Sequence, residues 1–135
     1  MRVHGALTRD AVDATRRLQL EALEARPLGM GFLLDAAGDI PLPDSDVRGY
    51  ASTMAAKHSD GLAVHVTIIE ESGFRGSAVR SALTGIFFVA RTPYPRHVVA
   101  SVDLAQPHLA KVLGADAPSL ETLRSETAEL RRRAR

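Results

Sequence analysis

The sequence predicts an α/β domain: a small, mostly parallel sheet of about four strands covered by helices, with a further helix added at the C-terminus. Three observations carry this expectation. Short apolar or β-branched runs alternate with longer stretches of helical periodicity along the whole chain. The helical stretches are long enough to serve as right-handed crossovers, which leave successive strands parallel. At 135 residues and 45% apolar content, the chain has the size and composition of one domain with one ordinary core.

Taken in order, Val3 to Leu7 reads as a short strand. Thr8 is placed to cap a helix whose apolar stripe is Ala11, Leu18, Ala22 and Ala25. Arg16, Arg17, Glu21 and Glu24 take its other faces, and Pro27 with Gly29 stops it. Met30 to Leu34 is a compact apolar run suited to a strand buried on both sides, ending at Asp35. The turn-rich segment Ala36 to Ser45 contains Gly38, Pro41 and Pro43, and Asp44, Ser45 or Asp46 can cap the next helix. From Val47, the residues Tyr50, Ala51, Met54, Ala55 and His58 share one helical side, and Asp60-Gly61 ends that helix. Leu62 to Ile69 is the strongest strand, rich in β-branched residues, and belongs at the sheet centre.

Gly73 opens a long helix to about Ala90, which Pro93-Tyr94-Pro95 brings to an end. Ala78, Ala82, Ile86 and Val89 group as its core stripe, while Leu83 and Phe87 lie toward the side carrying Arg80 and Arg91. His97 to Val102 reads as a strand. Asp103 with Gln106 makes a capping-box-like start for a helix bearing Ala105, Leu109, Val112 and Leu113, and Gly114 terminates it. Ser119 to Arg133 forms a last helix with Leu120, Leu123 and Leu130 on one side. Residues 1–114 are thus read as the α/β domain, and residues 115–135 as an appended helix with an arginine-rich tail.

Composition excludes several classes of function. There is no cysteine, so disulfide frameworks, thiolate metal sites and cysteine nucleophiles are all absent. No apolar run approaches the roughly 20 residues that span a bilayer, and Met1 is followed directly by Arg2-Val3-His4-Gly5 with no signal-peptide pattern, so a cytoplasmic address is expected. The net charge of +1 hides an asymmetry: Arg131, Arg132, Arg133 and Arg135 leave residues 1–130 with 13 basic against 16 acidic groups. The tail reads as a solvated helix end, where cations suit the carbonyl dipole, and no aromatic stacking motif accompanies it to suggest nucleic acid.

Motifs for chemistry are sparse. His4, His58, His65, His97 and His108 show no metal-ligand spacing, so no metal site or cofactor is expected. His65, inside the central strand, reads as a hydrogen-bonded core imidazole or as a base. Gly73-Phe74-Arg75-Gly76-Ser77 comes after a strand and opens a helix, so Gly73, Arg75, Gly76 and Ser77 can hold an anion. The same glycines equally serve a close approach of the helix start to neighbouring strands. No nucleophile elbow or catalytic triad order can be picked out. On the long helix, Leu83 and Phe87 rimmed by Arg80 and Arg91 form an apolar patch, to be met by a partner or covered by the leucines of the final helix.

The segments VHGALT, MGFLLDAAGD, DSD, LAVHVTIIEESG and RHVVASVDLAQPHLAKVLG, with helices between them, resemble a STAS-type domain, most closely its SpoIIAA-like branch. Ser101, Ala105 and Leu109 occupy that branch's pattern in the last strand and helix. The resemblance covers about residues 2–114, in a family that starts with one further strand. It implies a non-enzymatic module that binds protein partners, some members binding nucleotides or lipids. It also implies a phosphorylation site at an Asp-Ser pair opening the second helix, where Asp44 and Ser45 stand; Ser45 is read either as that site or as a helix cap.

These residues are compatible with two functions. In the first, the protein is a regulatory or protein-interaction module whose contact surface uses Asp44, Ser45, Arg80, Leu83, Phe87 and Arg91, with a homodimer through the same helix as a variant. In the second, it binds a small molecule or anion, or acts as an enzyme, at the carboxyl ends of the strands. A deep cleft between the turn at Ser72 to Ser77 and the loop after Asp35, lined by His65 or Arg75 with converging polar groups, favours the second reading, and a shallow apolar surface at Leu83 and Phe87 the first.

Overall fold

The computed structural model describes residues 2–26, 29–37, 40–57 and 60–133. The α/β class is borne out. Its elements are β1 (Arg2–His4), α1 (Arg9–Ala25), β2 (Met30–Ala37), α2 (Ser45–Ala56), β3 (Leu62–Ile69), α3 (Gly73–Ala90), β4 (Arg96–Val99), α4 (Val102–Leu113) and α5 (Leu120–Arg133), with a 3-10 turn at Gly114–Asp116. Strands β2, β3 and β4 form a parallel sheet with β3 between the other two. The three residues of β1 run parallel to β2, from Arg2 opposite Asp35 to His4 opposite Ala37. Among the described residues, no helix is long and apolar enough to cross a membrane.

Alternation along β3 builds the two faces of the sheet. Val64, Val66 and Ile68 point one way into a core completed by Val99, Val102, Ala105, Leu109 and Leu123, so that α4 and α5 cover that face. His65, Thr67 and Ile69 point the other way, toward α1, α2 and α3. Val64, Val66, Ile68 and Ile69 are all fully buried, as expected for β-branched residues in a strand with both faces covered.

Several expectations are corrected. β1 stops at His4, because Gly5 turns away with φ of 76°. β2 runs on to Ala37, because Asp35 does not break it: its carboxylate accepts two bonds of 3.0 Å from Arg131 of α5. Asp44 caps α2 by accepting from the Val47 amide at 2.8 Å, leaving Ser45 exposed and inside the first turn. β4 ends at Val99, and Ser101 rather than Asp103 caps α4, accepting from the Leu104 amide. Asp103 instead pairs with Arg124 of α5 at 2.7 Å. Thr8 caps α1 as expected, accepting from the Ala11 amide. Pro27, Gly38, His58 and Arg135 lie outside the described residues.

The largest corrections concern helix phase. In α1 the buried positions are Gln19 and Leu23, whereas Leu18 is 39% exposed. In α3 the buried set is Gly76, Val79, Ile86 and Ala90, with Leu83 and Phe87 half-buried beside them, and Val89 is 68% exposed. The apolar residues left outside on α3 are Phe74, Phe88 and Val89. The final helix does not cover them, because Leu123 is buried on the opposite face of the sheet. A helix apolar around most of its circumference carries little information about which side faces inward.

Candidate functional site

The phase of α1 and α3 opens a cavity of about 110 Å³ between the sheet and its first three helices, several times the roughly 10–15 Å³ that holds one water. Its floor is sheet: Leu34 and Ala36 of β2, with His65, Thr67 and Ile69 of β3. Ala11, Val12, Thr15, Arg16 and Gln19 of α1, Ala51, Met54 and Ala55 of α2, and Leu83, Ile86 and Phe87 of α3 form its walls. Gly5, Ala6 and Leu7 after β1, Ile40, Lys57 at the end of α2, and Tyr94 and Arg96 before and at the start of β4 complete the lining. The small residues Ala11, Ala36, Ala51 and Ala55 provide the room, since longer side chains there would project into the space.

The polar groups of this cavity converge on His65, which is 3% exposed. Gln19 Nε2 lies 3.3 Å from His65 Nδ1, and an amide nitrogen can only donate, so Nδ1 accepts. The ring proton therefore sits on Nε2 and points to Thr67 Oγ1 at 3.3 Å. The ring is held edge-on against Phe32 at 5.2 Å and tilted against Phe87 at 5.7 Å. Burial, and secondarily the charge of Arg96, lower the His65 pKa from 6.5 to about 3. At neutral pH this imidazole is uncharged and a weak base, which suits recognition better than proton abstraction.

Arg96 is the second distinctive group. Its guanidinium lies 4.8 Å from the Phe87 ring centre and 5.1 Å from that of Tyr94, and it donates to the Tyr94 hydroxyl. Its Nε is buried with no hydrogen-bond partner among the described residues. Desolvation pulls its pKa downward, which no carboxylate opposes among the described residues. Arg16 is engaged differently, donating to the Lys57 carbonyl and to that of Met54 at 3.5 Å, where it closes the C-terminal end of α2.

Of the other residues singled out in the sequence, Leu83 and Phe87 line this cavity and are half-buried. Arg80 is tied to the end of β3, donating to the carbonyls of Ile69 at 3.0 Å and Glu71 at 2.8 Å. Arg91 is exposed in the left-handed cap of α3 with φ of 48°. At the start of α3, Arg75 pairs with Glu71 at 3.3 Å, and a Cβ on Gly76 would lie 1.8 Å from the Glu71 carbonyl oxygen. Gly76 is thus explained by close backbone approach, and Gly73 by its φ of 71°. Asp44 and Ser45 stand apart, at the exposed N-terminal end of α2.

Two further clusters were not legible in the spacing. At the carboxyl ends of the strands, Arg2, Asp35, Glu70, Glu71 and Arg131 line a charged cleft. Its charges compensate one another: Arg131 spans Asp35 at 3.0 Å and Glu70 at 2.8 Å, which holds its pKa above the ordinary value. Arg131 is therefore no solvated tail residue, whereas Arg132 and Arg133 pair with Glu129 at the surface. His97 and His108 stack at 3.8 Å with rings 19° from parallel, a geometry in which their nitrogens do not converge on one ion. Among the described residues, no group of three or more side chains is placed to hold a metal. The cavity residues absent from the expectations drawn from sequence include Gln19, Tyr94 and Arg96. The nearest signal was Arg96 opening a strand between Pro95 and His97 with no acidic neighbour. Comparison of the chain with protein-family models, curated proteins and solved structures finds no match.

Proposed function

We propose that this protein binds a small, largely apolar molecule in the cavity between its sheet and helices α1–α3. The observation that carries the reading is the inward placement of Leu83 and Phe87 around a space floored by neutral His65. An apolar enclosure with a few convergent polar groups is the usual form of a small-molecule site. The resemblance to STAS-type domains supports a non-enzymatic module and adds a consequence for signalling. Helix α2 lines the cavity through Ala51, Met54 and Ala55 and carries Asp44 and Ser45 at its exposed end. Occupancy would then be reported to a protein partner through the position of that helix.

The test uses protein with ¹³C-labelled methionine methyls, titrated with octan-1-ol. Met54 lines the cavity, whereas Met30 packs with Leu23, Phe32 and Leu62. A saturable shift at Met54, absent at Met30 and abolished by the cavity-filling substitution Ala55→Leu, is the expected result. No saturable change at Met54 up to the solubility limit of the alcohol would overturn the reading.

A further inference from the structure

The cavity is electrostatically one-sided. Among the described residues its lining contains Arg16, Lys57 and Arg96 but no Asp or Glu. Arg16 already serves the carbonyls that end α2. Arg96 is different, because among the described residues its only hydrogen-bonded side-chain partner is the hydroxyl of Tyr94, and its buried Nε donor is unused. Arg96 is half-buried, and desolvating part of a guanidinium with no anion beside it is costly; the Phe87 and Tyr94 rings offset only part of that cost. His65 does not supply the missing charge, since it is neutral and its two nitrogens face Gln19 and Thr67.

From this combination we infer that the ligand is an amphipathic carboxylate, an acid with an apolar body, whose carboxylate pairs with the Arg96 guanidinium while its chain lies along Phe87 and the alanine-lined wall. This rests on the cavity reading above and names the chemical class that the cavity takes. A carboxylate suits the site better than a phosphate ester, because one guanidinium and one phenol offer too few donors for a dianion with three free oxygens. The charge-assisted contact distinguishes an acid from the alcohol of equal length, and a bond of that kind corresponds to about tenfold or more in affinity.

The experiment compares octanoate, octan-1-ol and octyl phosphate at pH 7.5, following the Met54 methyl and the Arg96 Nε–H resonance in wild type, Arg96→Met and Arg96→Lys. Octanoate should bind at least about tenfold more tightly than octanol and shift the Arg96 Nε–H. Arg96→Met should bring the acid down to the alcohol, and Arg96→Lys should restore part of the difference. Equal binding of acid and alcohol in wild type overturns the carboxylate assignment but leaves the apolar cavity standing. Tighter binding of octyl phosphate than octanoate overturns it as well. If neither acid nor alcohol moves Met54, both readings fall. The wild-type comparison decides the matter even if Arg96→Met does not fold.

Discussion

The sharpest consequence of the cavity concerns acid. His65 is buried in a site that holds it neutral, with its pKa lowered from 6.5 to about 3 by burial and then by Arg96. Between those two values the unfolded chain takes up a proton at this position and the native protein does not. Its stabilising contribution is therefore complete above pH 6.5 and is lost progressively as pH falls toward 3, at about 1.4 kcal/mol for each unit. From pH 7.5 to pH 4.5 that amounts to about 3 kcal/mol, a large fraction of the 5–15 kcal/mol available to a typical domain. His97 contributes in the same range, its pKa lowered by burial first and then by His108 and Lys111, whereas Asp103, held low by Arg124, acts only at more acidic pH, below the ordinary carboxylate value. The informative quantity is thus the difference between wild type and His65→Gln, which removes the titrating ring and keeps a polar side chain. Urea unfolding at pH 7.5 and pH 4.5 should show wild type losing about 3 kcal/mol more than the variant. The ¹⁵N shifts of the His65 ring should stay those of the Nε2–H tautomer down to pH 4.5. Parallel pH profiles for the two proteins, or a ring that protonates near pH 6, would refute the argument that desolvation governs this site.

Other perturbations read different parts of the structure. Asp35 is 2% exposed and bridged to Arg131, so Asp35→Asn should destabilise the fold by about 3 kcal/mol in urea unfolding. Arg132→Gln removes only a surface pair with Glu129 and should stay within about 0.5 kcal/mol of wild type. Gly76→Ala drives a Cβ into the Glu71 carbonyl and should cost about 1–3 kcal/mol. Gly85→Ala in the same helix meets nothing within 4 Å and should raise stability by about 0.5–1 kcal/mol, so equal effects of the two would contradict the packing of α3. Asp44→Ala should cost about 1 kcal/mol through loss of the α2 cap, while Ser45→Ala leaves stability unchanged by thermal denaturation.

The features legible from sequence were those decided by local chemistry. The β-branched run Leu62–Ile69 could hardly be anything but a strand, and its bounds agree with β3. Gly73 and the turn after Ala90 delimit α3 as expected, because a positive φ and a pair of prolines act within a residue or two of themselves. Thr8 caps α1 for the same reason. What tertiary structure decided was how each helix is rotated and which polar groups are allowed inside. Gln19 displaces Leu18 from the buried face of α1 because His65 offers its amide a partner, a contact made across 46 positions of chain. Asp35 stays in a strand because Arg131 arrives from the far end of the sequence to neutralise it. The rotation of α3 places Leu83 and Phe87 against the cavity and leaves Phe88 and Val89 exposed. Propensity and capping depend on near neighbours and can be read from the chain. The burial of an amide, an acid or a cation depends on partners that only folding brings together.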